Sequence, residues 1–580
     1  MIKKIILIEN SSQAKEYLDN IERFREATPI VLTFGAEELL LKKDINFKTE
    51  EDYENDEIYQ GIFDSSIKST DLICSYFNIE YEGIKLFPLL YLELFPAIFL
   101  AKRHLRLLKK IIKTENPEEI FLFNGPNNDF LLKITESVYS GKININELSA
   151  KPNRKTSIIS IGGLIQNIYS KMSIKFIKKS DKKIFFSGSK SFFETTIHNL
   201  LEDQRNHFFR CHNQLQKSFF VDNKYIPFYE FSEKILFYPV FEEKINYFKK
   251  KLENTDLSSK LLIEKEIVPV LKSVLWRTLD SRIKKTAGLV FEITRVIKQN
   301  KMDIVLLDNS VNPFEKTMIE VCKKYSIPSL IFQHGVLSMK EGFIPMNGDF
   351  VLVWGEHAKK WFIKNKIDKK KIVITGSPRH DSFMKKENPN LTNSKYIVYI
   401  IDATNYESTI PDGHLIKKRQ KEIFKKIFSV MKKFPDYKLI IKTRNGWEMN
   451  ALPGIIAKKE NFTNIEIIES TDNFKLLNNA QAVIVHQSSM GIEALLLNKP
   501  VISISYKDLD KFNIYKEMKS VKLAYNEKEL ETAIRMSLKK NENDSSEIKK
   551  IIKEYFYKTD GKSSQRAAEF IKEILNKNLL

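Results

Sequence analysis

Cysteine, glycine and arginine are scarce in this sequence of 580 residues. The three cysteines, Cys74, Cys211 and Cys322, lie far apart and show neither a Cys-x-x-Cys pair nor a Cys/His ligand spacing. The sequence therefore predicts no disulfide framework and no structural zinc, and it favours a reducing, cytoplasmic environment. We find no internal repeat and no linker rich in Gly, Ser or Pro, so the length indicates two or more packed domains.

Long hydrophobic runs are also missing. The run from Met1 to Ile8 is short and strand-like, without the longer apolar region and cleavage site of a signal peptide. The most apolar stretch, residues 87–101, contains Glu93 and two prolines and is too short to span a membrane. It leads into several cations and predicts a buried helix with a solvated end. The alternative is a surface helix resting on anionic lipid, which would place the protein at the inner face of the membrane.

The formal net charge of +20 comes mainly from lysine, because only 15 of the 94 cationic residues are arginine. Grooves that read phosphates or base edges tend to use forked, bidentate arginine, whereas dispersed lysine mainly keeps a surface soluble. The charge therefore predicts no nucleic-acid partner, and we find no RNA- or DNA-binding motif.

Short apolar runs alternate with helical lengths along the whole chain. This pattern is typical of parallel α/β sheets. The first series of predicted strands comprises Ile5–Ile8, Ile30–Phe34, Ile120–Phe123, Ile184–Ser187, Ile304–Leu307 and Leu330–Phe332. The second comprises Phe350–Trp354, Ile372–Thr375, Tyr396–Ile401, Leu439–Lys442, Ile465–Ile468, Ala482–Val485 and Val501–Ile504.

The two series predict two Rossmann-like domains that face each other across a cleft. We expect the first to span residues 1–345, with a helical insertion at about 190–300. The second spans 346–540, and helices at 541–580 close the molecule. The boundary is placed where Gly342, Pro345 and Gly348 cluster before the next strand.

The rare residue types are concentrated in one part of the chain. Nine of the 19 glycines and five of the nine histidines lie between His334 and Gly491. We therefore expect the functional site in this region, although tight loops between strands also need glycine.

The first candidate site follows two predicted strands. Asp308 comes after the strand Ile304–Leu307, and Gln333, His334 and Gly335 come after the strand Leu330–Phe332. A strand–helix–strand unit with a right-handed crossover brings both strand ends to one sheet edge, where ligands of open α/β sheets bind. Asp308 and His334 are thus candidates for acid–base catalysis. The alternative, that Asp308 or Asn309–Ser310 simply caps the following helix, stays open.

Two further segments carry cations at strand ends. Gly376, Ser377 and Pro378 allow a backbone to approach a ligand closely, and Arg379 next to them can bind a phosphate or carboxylate. Lys442 and Arg444 point to the same side at the end of another strand. An ordinary turn with a surface arginine is the alternative for the first segment.

The most informative segment begins where the strand Ala482–Val485 ends. His486 is followed by Gln487, Ser488 and Ser489, which open a helix that contains Glu493. Hydroxyls at a helix start, together with the unpaired N–H groups of its first turn, form an anion site suited to a nucleotide phosphate. Glu493, one turn further on, is placed to accept hydrogen bonds from ribose hydroxyls.

At these positions the chain resembles the GT-B glycosyltransferases, in particular the bacterial surface-polysaccharide group. That group includes capsule-synthesis transferases, polysialyltransferase-like enzymes and CDP-glycerol glycerophosphotransferases. Four segments carry the resemblance in order and approximate spacing: Gln333–Gly335, Val353–Glu356, Val373–Arg379 and His486–Ala494.

The resemblance implies that the C-terminal domain holds a nucleotide-sugar donor and the N-terminal domain a glycan or lipid-linked acceptor. It also implies a metal-independent transfer without a bound cofactor. By position, Ser488 and Ser489 would hold phosphate and Glu493 the ribose, with Arg379 and Lys442 near the charged part of the donor.

The sequence departs from the pattern at Thr443–Asn445, where many relatives have a His-Pro pair. The acidic pair followed by glycine that supplies the base in sialyltransferase relatives also has no clear match, so the base role of Asp308 is our own inference. We expect a glycosyltransferase of surface-glycan synthesis. The alternatives are a UDP-N-acetylglucosamine epimerase-like enzyme and a CDP-glycerol-type polyol-phosphate transferase.

Overall fold

The structure of the chain is a computed structural model. It describes sixteen ranges: residues 3–53, 57–124, 130–149, 181–188, 190–212, 219–221, 224–226, 228–230, 239–337, 343–385, 394–401, 413–444, 450–486, 488–506, 513–539 and 545–577.

The first sheet is formed near the amino terminus. The first seven strands are β1 (Lys4–Ile8), β2 (Ala27–Val31), β3 (Lys48–Thr49), β4 (Glu80–Tyr81), β5 (Ile84–Lys85), β6 (Glu119–Asn124) and β7 (Asn144–Ser149). Five of them form a parallel sheet in the order β3-β2-β1-β6-β7, while β4 and β5 form a small antiparallel hairpin. In β1 the residues from Ile5 to Ile8 are all buried, as expected for a parallel strand covered on both faces.

The second sheet lies in the middle of the chain. The next nine strands are β8 (Lys182–Ser187), β9 (Asn206–His212), β10 (Phe219–Val221), β11 (Lys224–Ile226), β12 (Phe228–Glu230), β13 (Ile304–Leu307), β14 (Ser329–Phe332), β15 (Phe350–Val353) and β16 (Ile372–Ile374). Seven of them form a parallel sheet in the order β12-β9-β8-β13-β14-β15-β16, and β10 pairs antiparallel with β11.

The third sheet is also entirely parallel. Its strands are β17 (Tyr396–Ile400), β18 (Lys438–Lys442), β19 (Ile465–Ile468), β20 (Ala482–Val485), β21 (Val501–Ile504) and β22 (Val521–Ala524), in the order β19-β18-β17-β20-β21-β22. The order reverses between β17 and β20, which is where ligands of such sheets bind.

Helices connect and cover the three sheets. The first ten described helices are α1 (Ser11–Asp19), α2 (Phe34–Leu41), α3 (Glu57–Tyr76), α4 (Tyr91–Glu115), α5 (Phe130–Tyr139), α6 (Lys190–Leu201), α7 (Pro239–Asn254), α8 (Leu257–Leu261), α9 (Val268–Arg277) and α10 (Ile283–Asn300). The remaining described helices are α11 (Pro313–Lys324), α12 (Glu356–Lys364), α13 (Asp381–Lys385), α14 (Gly413–Met431), α15 (Leu452–Lys459), α16 (Asn473–Asn479), α17 (Met490–Leu496), α18 (Glu527–Leu538), α19 (Ser545–Phe556) and α20 (Ser563–Lys577).

The apolar stretch that begins at residue 87 enters helix α4 and is buried. Leu94, Ile98 and Leu105 belong to a large core that is shared by the first and second sheets. Lys102 is 2% exposed, and its ammonium donates to Ser69 Oγ at 3.0 Å. The buried-helix prediction is confirmed, and a lipid-facing surface helix is wrong for this segment because its apolar face packs inside the protein. No helix in the described ranges is long and apolar enough to cross a bilayer.

The predicted domain boundary at 345/346 is wrong. β15 pairs with β14 and β16 pairs with β15, so both strands belong to the second sheet rather than to the C-terminal domain. The predicted first series is likewise divided, since its first three strands form the separate N-terminal sheet. Apolar runs identify strands but do not reveal which strands become neighbours.

The predicted helical insertion at about 190–300 needs a similar correction. Helices occupy most of 239–300, but β9 and β12 lie earlier in this range and belong to the second sheet. At the other end of the chain, α20 returns to that sheet, where Ala567 and Ile571 pack in one cluster with Ile184 and Leu306.

The predicted α/β fold with two Rossmann-like domains is confirmed by the second and third sheets, which are parallel sheets of seven and six strands. The five-stranded N-terminal sheet is an additional layer. Helix α2 of this layer contacts the third sheet and its helices. Phe34 packs among Tyr399, Phe424 and their neighbours, and Glu37 forms an ion pair with Lys421.

Candidate functional site

Two histidines occupy equivalent positions in the second and third sheets. His334 follows β14, and its Nδ1 lies 2.7 Å from the carbonyl oxygen of Asp308, at the end of the adjacent β13. His486 follows β20, and its Nδ1 lies 2.7 Å from the carbonyl oxygen of Ile504, at the end of the adjacent β21. A carbonyl only accepts, so each Nδ1 donates a proton. In the neutral ring the lone pair is therefore on Nε2, which suits a base or an acceptor.

The surroundings of His334 favour its neutral form. The ring stacks on Phe343, with ring centroids 4.4 Å apart. Burial lowers the pKa of His334, and the nearby Arg379 lowers it further, while the hydrogen bond to Asp308 and the charge of that residue oppose the shift. An imidazole that stays neutral at physiological pH can accept a proton, as the predicted catalytic role requires.

Asp308 does not cap the helix that follows it. Asn309 Oδ1 accepts hydrogen bonds from the backbone N–H groups of Val311 and Asn312, and Asn312 occupies the N-cap position of α11. The carboxylate of Asp308 instead accepts a hydrogen bond of 2.9 Å from the Asn309 amide. The sequence left open whether Asp308 or Asn309–Ser310 caps the following helix. In the structure it is Asn309 that accepts the backbone hydrogen bonds of the turn before α11.

A second carboxyl, which sequence analysis missed, lies near Asp308. Glu315, in the first turn of α11, accepts a hydrogen bond of 2.7 Å from Ser187 Oγ at the end of β8. Burial raises the pKa of Glu315, and the charge of Asp308 contributes to the rise. The sequence alone does not single out Glu315, because an acidic residue in the first turn of a helix is common for electrostatic reasons alone.

Gln333 and Gly335, predicted on the acceptor side, differ in their surroundings. The amide of Gln333 is buried: its Oε1 accepts from the Trp354 N–H at 2.8 Å, and its Nε2 donates to the Gly335 carbonyl at 2.8 Å. Gln333 thus ties the end of β14 to the end of β15. Gly335 borders open space, since nothing lies within 4 Å of the position a Cβ would take.

Arg379 connects the two halves of the site. Its guanidinium lies 3.5 Å from the carbonyl oxygen of His334 and 3.6 Å from Glu493 Oε1 in α17. The His334 carbonyl lies at the edge of the second sheet, whereas Glu493 lies on α17, the helix that follows strand β20 of the third sheet. The side chain keeps 28% of its surface exposed, so a cation stands at the junction of the two sheets.

Glu493 is held by a histidine that sequence analysis missed. His380 Nε2 lies 2.8 Å from Glu493 Oε1, and His380 Nδ1 lies 2.6 Å from Ser377 Oγ. Burial works to raise the pKa of Glu493, but the hydrogen bond and charge of His380, with the charge of Arg379, lower it overall. Trp354 and Phe556 contact the His380 ring edge to face. Ser377 and Glu493, both predicted to bind the donor, are thus joined in a buried chain.

Gly376, predicted to let a ligand approach, instead allows the C-terminal helix to approach. Its φ is +85°, and a Cβ there would overlap the side chain of Ser563 at the start of α20. The neighbouring Asp381 accepts hydrogen bonds from the backbone N–H groups of Ser563 and Ser564, at 3.0 and 2.7 Å. The turn after β16 is therefore a docking point for α20.

The start of α17 is shaped by a tyrosine from a later loop. The Tyr515 hydroxyl donates to the carbonyl oxygen of Ser488, and a Cβ on Gly491 would overlap Tyr515. Ser489 occupies the N-cap position without a side-chain capping bond, and the Ser488 hydroxyl accepts weakly from the Met490 N–H at 3.4 Å. Gln487, also predicted to bind the donor, lies outside the described residues.

Lys442 and Arg444 differ in their contacts. The ammonium of Lys442 donates to the carbonyl oxygens of Thr443 and Glu469, at 2.6 and 2.8 Å, so it stabilises the end of β18. Burial lowers the pKa of Lys442, and the charge of Arg444 adds to this. Arg444 is exposed.

The described residues thus include His334 and His486 at matching strand ends, the partly exposed Arg379 beside His334, and the carboxylate of Asp308. This combination can bind a negatively charged ligand and move a proton next to it. Among the described residues, no three His, Cys, Asp or Glu side chains converge as a metal site would require.

Comparison with known proteins gives one family match. The sequence model of the UDP-N-acetylglucosamine 2-epimerase family matches residues 346–572, from the last strands of the second sheet to α20. No curated protein matches the sequence at a significant level.

Solved structures show similar folds at low sequence identity. The UDP-GlcNAc 2-epimerase of Methanocaldococcus jannaschii is 15% identical, with a TM-score of 0.42, over 68% of this chain and 99% of its own. MurG of Acinetobacter baumannii is 12% identical, with a TM-score of 0.37, over 68% of this chain and 99% of its own. The wall teichoic acid polymerase TagF is 12% identical, with a TM-score of 0.39, over 73% of this chain and 100% of its own.

Proposed function

We propose that this protein is an enzyme that acts on a nucleotide sugar held between the second and third sheets. The observation that carries the proposal is the position of Arg379 between His334 and Glu493, with His486 at the matching edge of the third sheet. An arginine fork suits the diphosphate of such a donor, and it neutralises the charge that develops when the bond between the sugar and the phosphate breaks.

The family match favours an epimerase-type reaction on UDP-N-acetylglucosamine as the first candidate. In epimerisation at C2 a base removes the C2 proton while the bond between C1 and the UDP oxygen breaks, so that the electron pair forms a C1–C2 double bond. UDP then adds back to C1 as a proton is delivered to the opposite face of C2. The enzyme then needs a base and an acid near the sugar. The base is either His334, whose lowered pKa favours the neutral ring, or the carboxylate of Asp308. Glu315, whose pKa is raised by burial, is a nearby source of a proton.

Transfer of the sugar to a glycan or lipid-linked acceptor is the second candidate. The observation that favours it is the resemblance of the segments Val373–Arg379 and His486–Ala494 to surface-polysaccharide transferases. In this reaction His334 or Asp308 would take the proton from an acceptor hydroxyl as the bond to the nucleotide breaks.

One experiment separates the two reactions. The protein is incubated with UDP-N-acetylglucosamine in D₂O, without an acceptor, and followed by proton NMR. Epimerisation produces a second nucleotide sugar that carries deuterium at C2. A transferase instead leaves the C2 proton in place and releases UDP only when an acceptor is supplied.

Binding is tested separately by thermal shift with UDP, CDP, GDP and CMP, because a ligand that binds only the folded state raises its stability. Arg379→Lys is expected to reduce the shift, since a lysine does not provide the forked donors. Arg535→Lys, at an exposed ion pair on α18, is the matched control and is expected to leave the shift unchanged. If none of the nucleotides raises the melting temperature, the proposal is wrong.

A further inference from the structure

A separate cavity lies between the second sheet and the C-terminal part of the chain. It has a volume of about 610 Å³ and is lined by helix α12, the loop 513–518 and helix α19. This volume is within the range of roughly 300–1,000 Å³ that small-molecule sites occupy. None of the predicted site residues lines it.

Ring contacts link this cavity to the candidate catalytic histidine. Phe343 stacks on His334 and also contacts Trp361 edge to face, with ring centroids 6.2 Å apart. Trp361 lines the cavity. The cavity is therefore two ring contacts away from His334.

The other wall is linked to the start of α17. Asn513 and Ile514 line the cavity, and the next residue, Tyr515, donates its hydroxyl proton to the Ser488 carbonyl. Asn513 is itself fixed by a hydrogen bond of 3.1 Å to Ser503. One side of the cavity is thus linked to His334 through Trp361 and Phe343, and the other side is linked to the start of α17 through the loop that contains Tyr515.

The chemistry of the lining points to a class of ligand. Aromatic surface comes from Trp361 and from Tyr555, which stacks on His357 with ring centroids 4.3 Å apart. The charged lining groups balance, since three lysines (Lys364, Lys516 and Lys550) are matched by three glutamates (Glu517, Glu547 and Glu554).

Such a lining disfavours a strongly charged ligand and suits a neutral one with many hydroxyl groups. The C–H face of a sugar ring packs on an aromatic ring, while carboxylates accept from its hydroxyls and ammonium groups donate to them. We propose that this cavity binds a neutral saccharide, which serves as the acceptor. The acceptor role rests on the transferase form of the proposed function, whereas the binding does not.

Binding is measured with the full-length protein in the absence of any nucleotide. The probes are cellobiose, maltose, lactose and chitobiose, and the readouts are tryptophan fluorescence and isothermal titration calorimetry. At least one disaccharide is expected to bind and to change the fluorescence of Trp361. Trp361→Ala should abolish that binding, and Glu517→Gln, which keeps the size of an exposed side chain, should weaken it about tenfold.

Trp276→Ala is the matched control, because Trp276 is an exposed tryptophan on α9, outside the cavity lining. Its removal should leave binding unchanged. The inference is overturned if no disaccharide binds, or if Glu517→Gln and the Trp361 variant bind as tightly as the original protein. Saccharide binding without any nucleotide-induced thermal shift would sink the proposed function and leave the cavity assignment standing.

Discussion

His380 Nε2 lies 2.8 Å from Glu493 Oε1, and this contact joins the segment after β16 to helix α17 of the third sheet. The two side chains are only 3% and 2% exposed. Removing one partner of a buried pair leaves the other without compensation, which costs about 3–5 kcal/mol. The contact is therefore expected to stabilise the relative position of the two sheets.

Glu493→Ala should lower the free energy of unfolding by about 3 kcal/mol, because it leaves the buried Nε2 of His380 without its hydrogen-bond partner. Glu493→Gln should cost less, since the amide oxygen still accepts the hydrogen bond. Urea unfolding followed by circular dichroism measures both. Glu531→Ala, at an exposed ion pair of α18, serves as control and should cost much less than Glu493→Ala. Equal losses for the three variants would contradict a structural role for the buried pair.

The pH dependence of turnover should report the titration of His334. Burial lowers the pKa of this histidine from its usual 6.5, and a base works only in its neutral form. Activity is therefore expected to stay level above pH 6.5 and to fall as the pH drops through a value below 6.5. The rate is measured between pH 4.5 and 8.

His334→Gln should lower kcat by a factor of about 10²–10⁴, the usual contribution of general base catalysis, without changing the melting temperature by more than a few degrees. His207→Gln is the control, because His207 bonds Asp181 at 3.0 Å at the edge of β9. If the activity of the His334 variant falls at low pH in the same way as that of the original protein, a group other than His334 is the one that titrates.

Local sequence patterns predicted individual strands well and their neighbours poorly. The strands Ile304–Leu307 and Ala482–Val485 were predicted to the residue, because each is a short apolar run with polar residues immediately after it. The membership of β15 and β16 in the second sheet was not predictable. Every strand of a buried parallel sheet is apolar on both faces, so nothing in the run itself specifies its partner.

The residues of the candidate site also divide into those that local sequence patterns predict and those that depend on contacts between distant segments. Asp308, His334, Arg379 and His486 were predicted from the sequence because each follows a strand, and strand ends of parallel sheets gather at one edge. Their placement at strand ends is seen in the structure, while their roles stay a prediction. His380 was missed because it lies in a short turn whose partner, Glu493, is distant in sequence. The role of Gly376 was misjudged for a similar reason, since the group that approaches it is Ser563.

Gly376 and Gly335 should respond differently to alanine. Gly376→Ala introduces a Cβ at a φ of +85° and against Ser563, so it should destabilise the protein by about 1–3 kcal/mol and loosen α20. Gly335→Ala meets open space and should leave stability unchanged. Limited proteolysis near residue 563 and thermal unfolding test both variants. Comparable cleavage of the two would mean that α20 does not depend on the turn after β16.

Glu115, at the end of α4, gives a pH-dependent test of the N-terminal sheet. Its carboxylate lies 2.7 Å from the Lys48 ammonium, 3.0 Å from the Lys3 ammonium and 2.8 Å from the Tyr53 hydroxyl. Burial works to raise the pKa of Glu115, but these three partners outweigh it and lower the pKa from 4.5 to about 2.

A carboxyl whose pKa is lower in the folded state than in the unfolded state stabilises the protein above the unfolded pKa. The stabilisation by Glu115 is therefore fully present above about pH 4.5 and is lost as the pH falls towards 2. Glu115→Gln should unfold at lower urea concentration than the original protein at pH 7, and the gap between their midpoints should narrow from pH 4.5 downwards. Glu466→Gln, at an exposed ion pair with Lys438, provides the comparison and should show a small gap throughout. If the Glu115 gap is constant between pH 7 and 3, the carboxylate does not carry the charge that these contacts require.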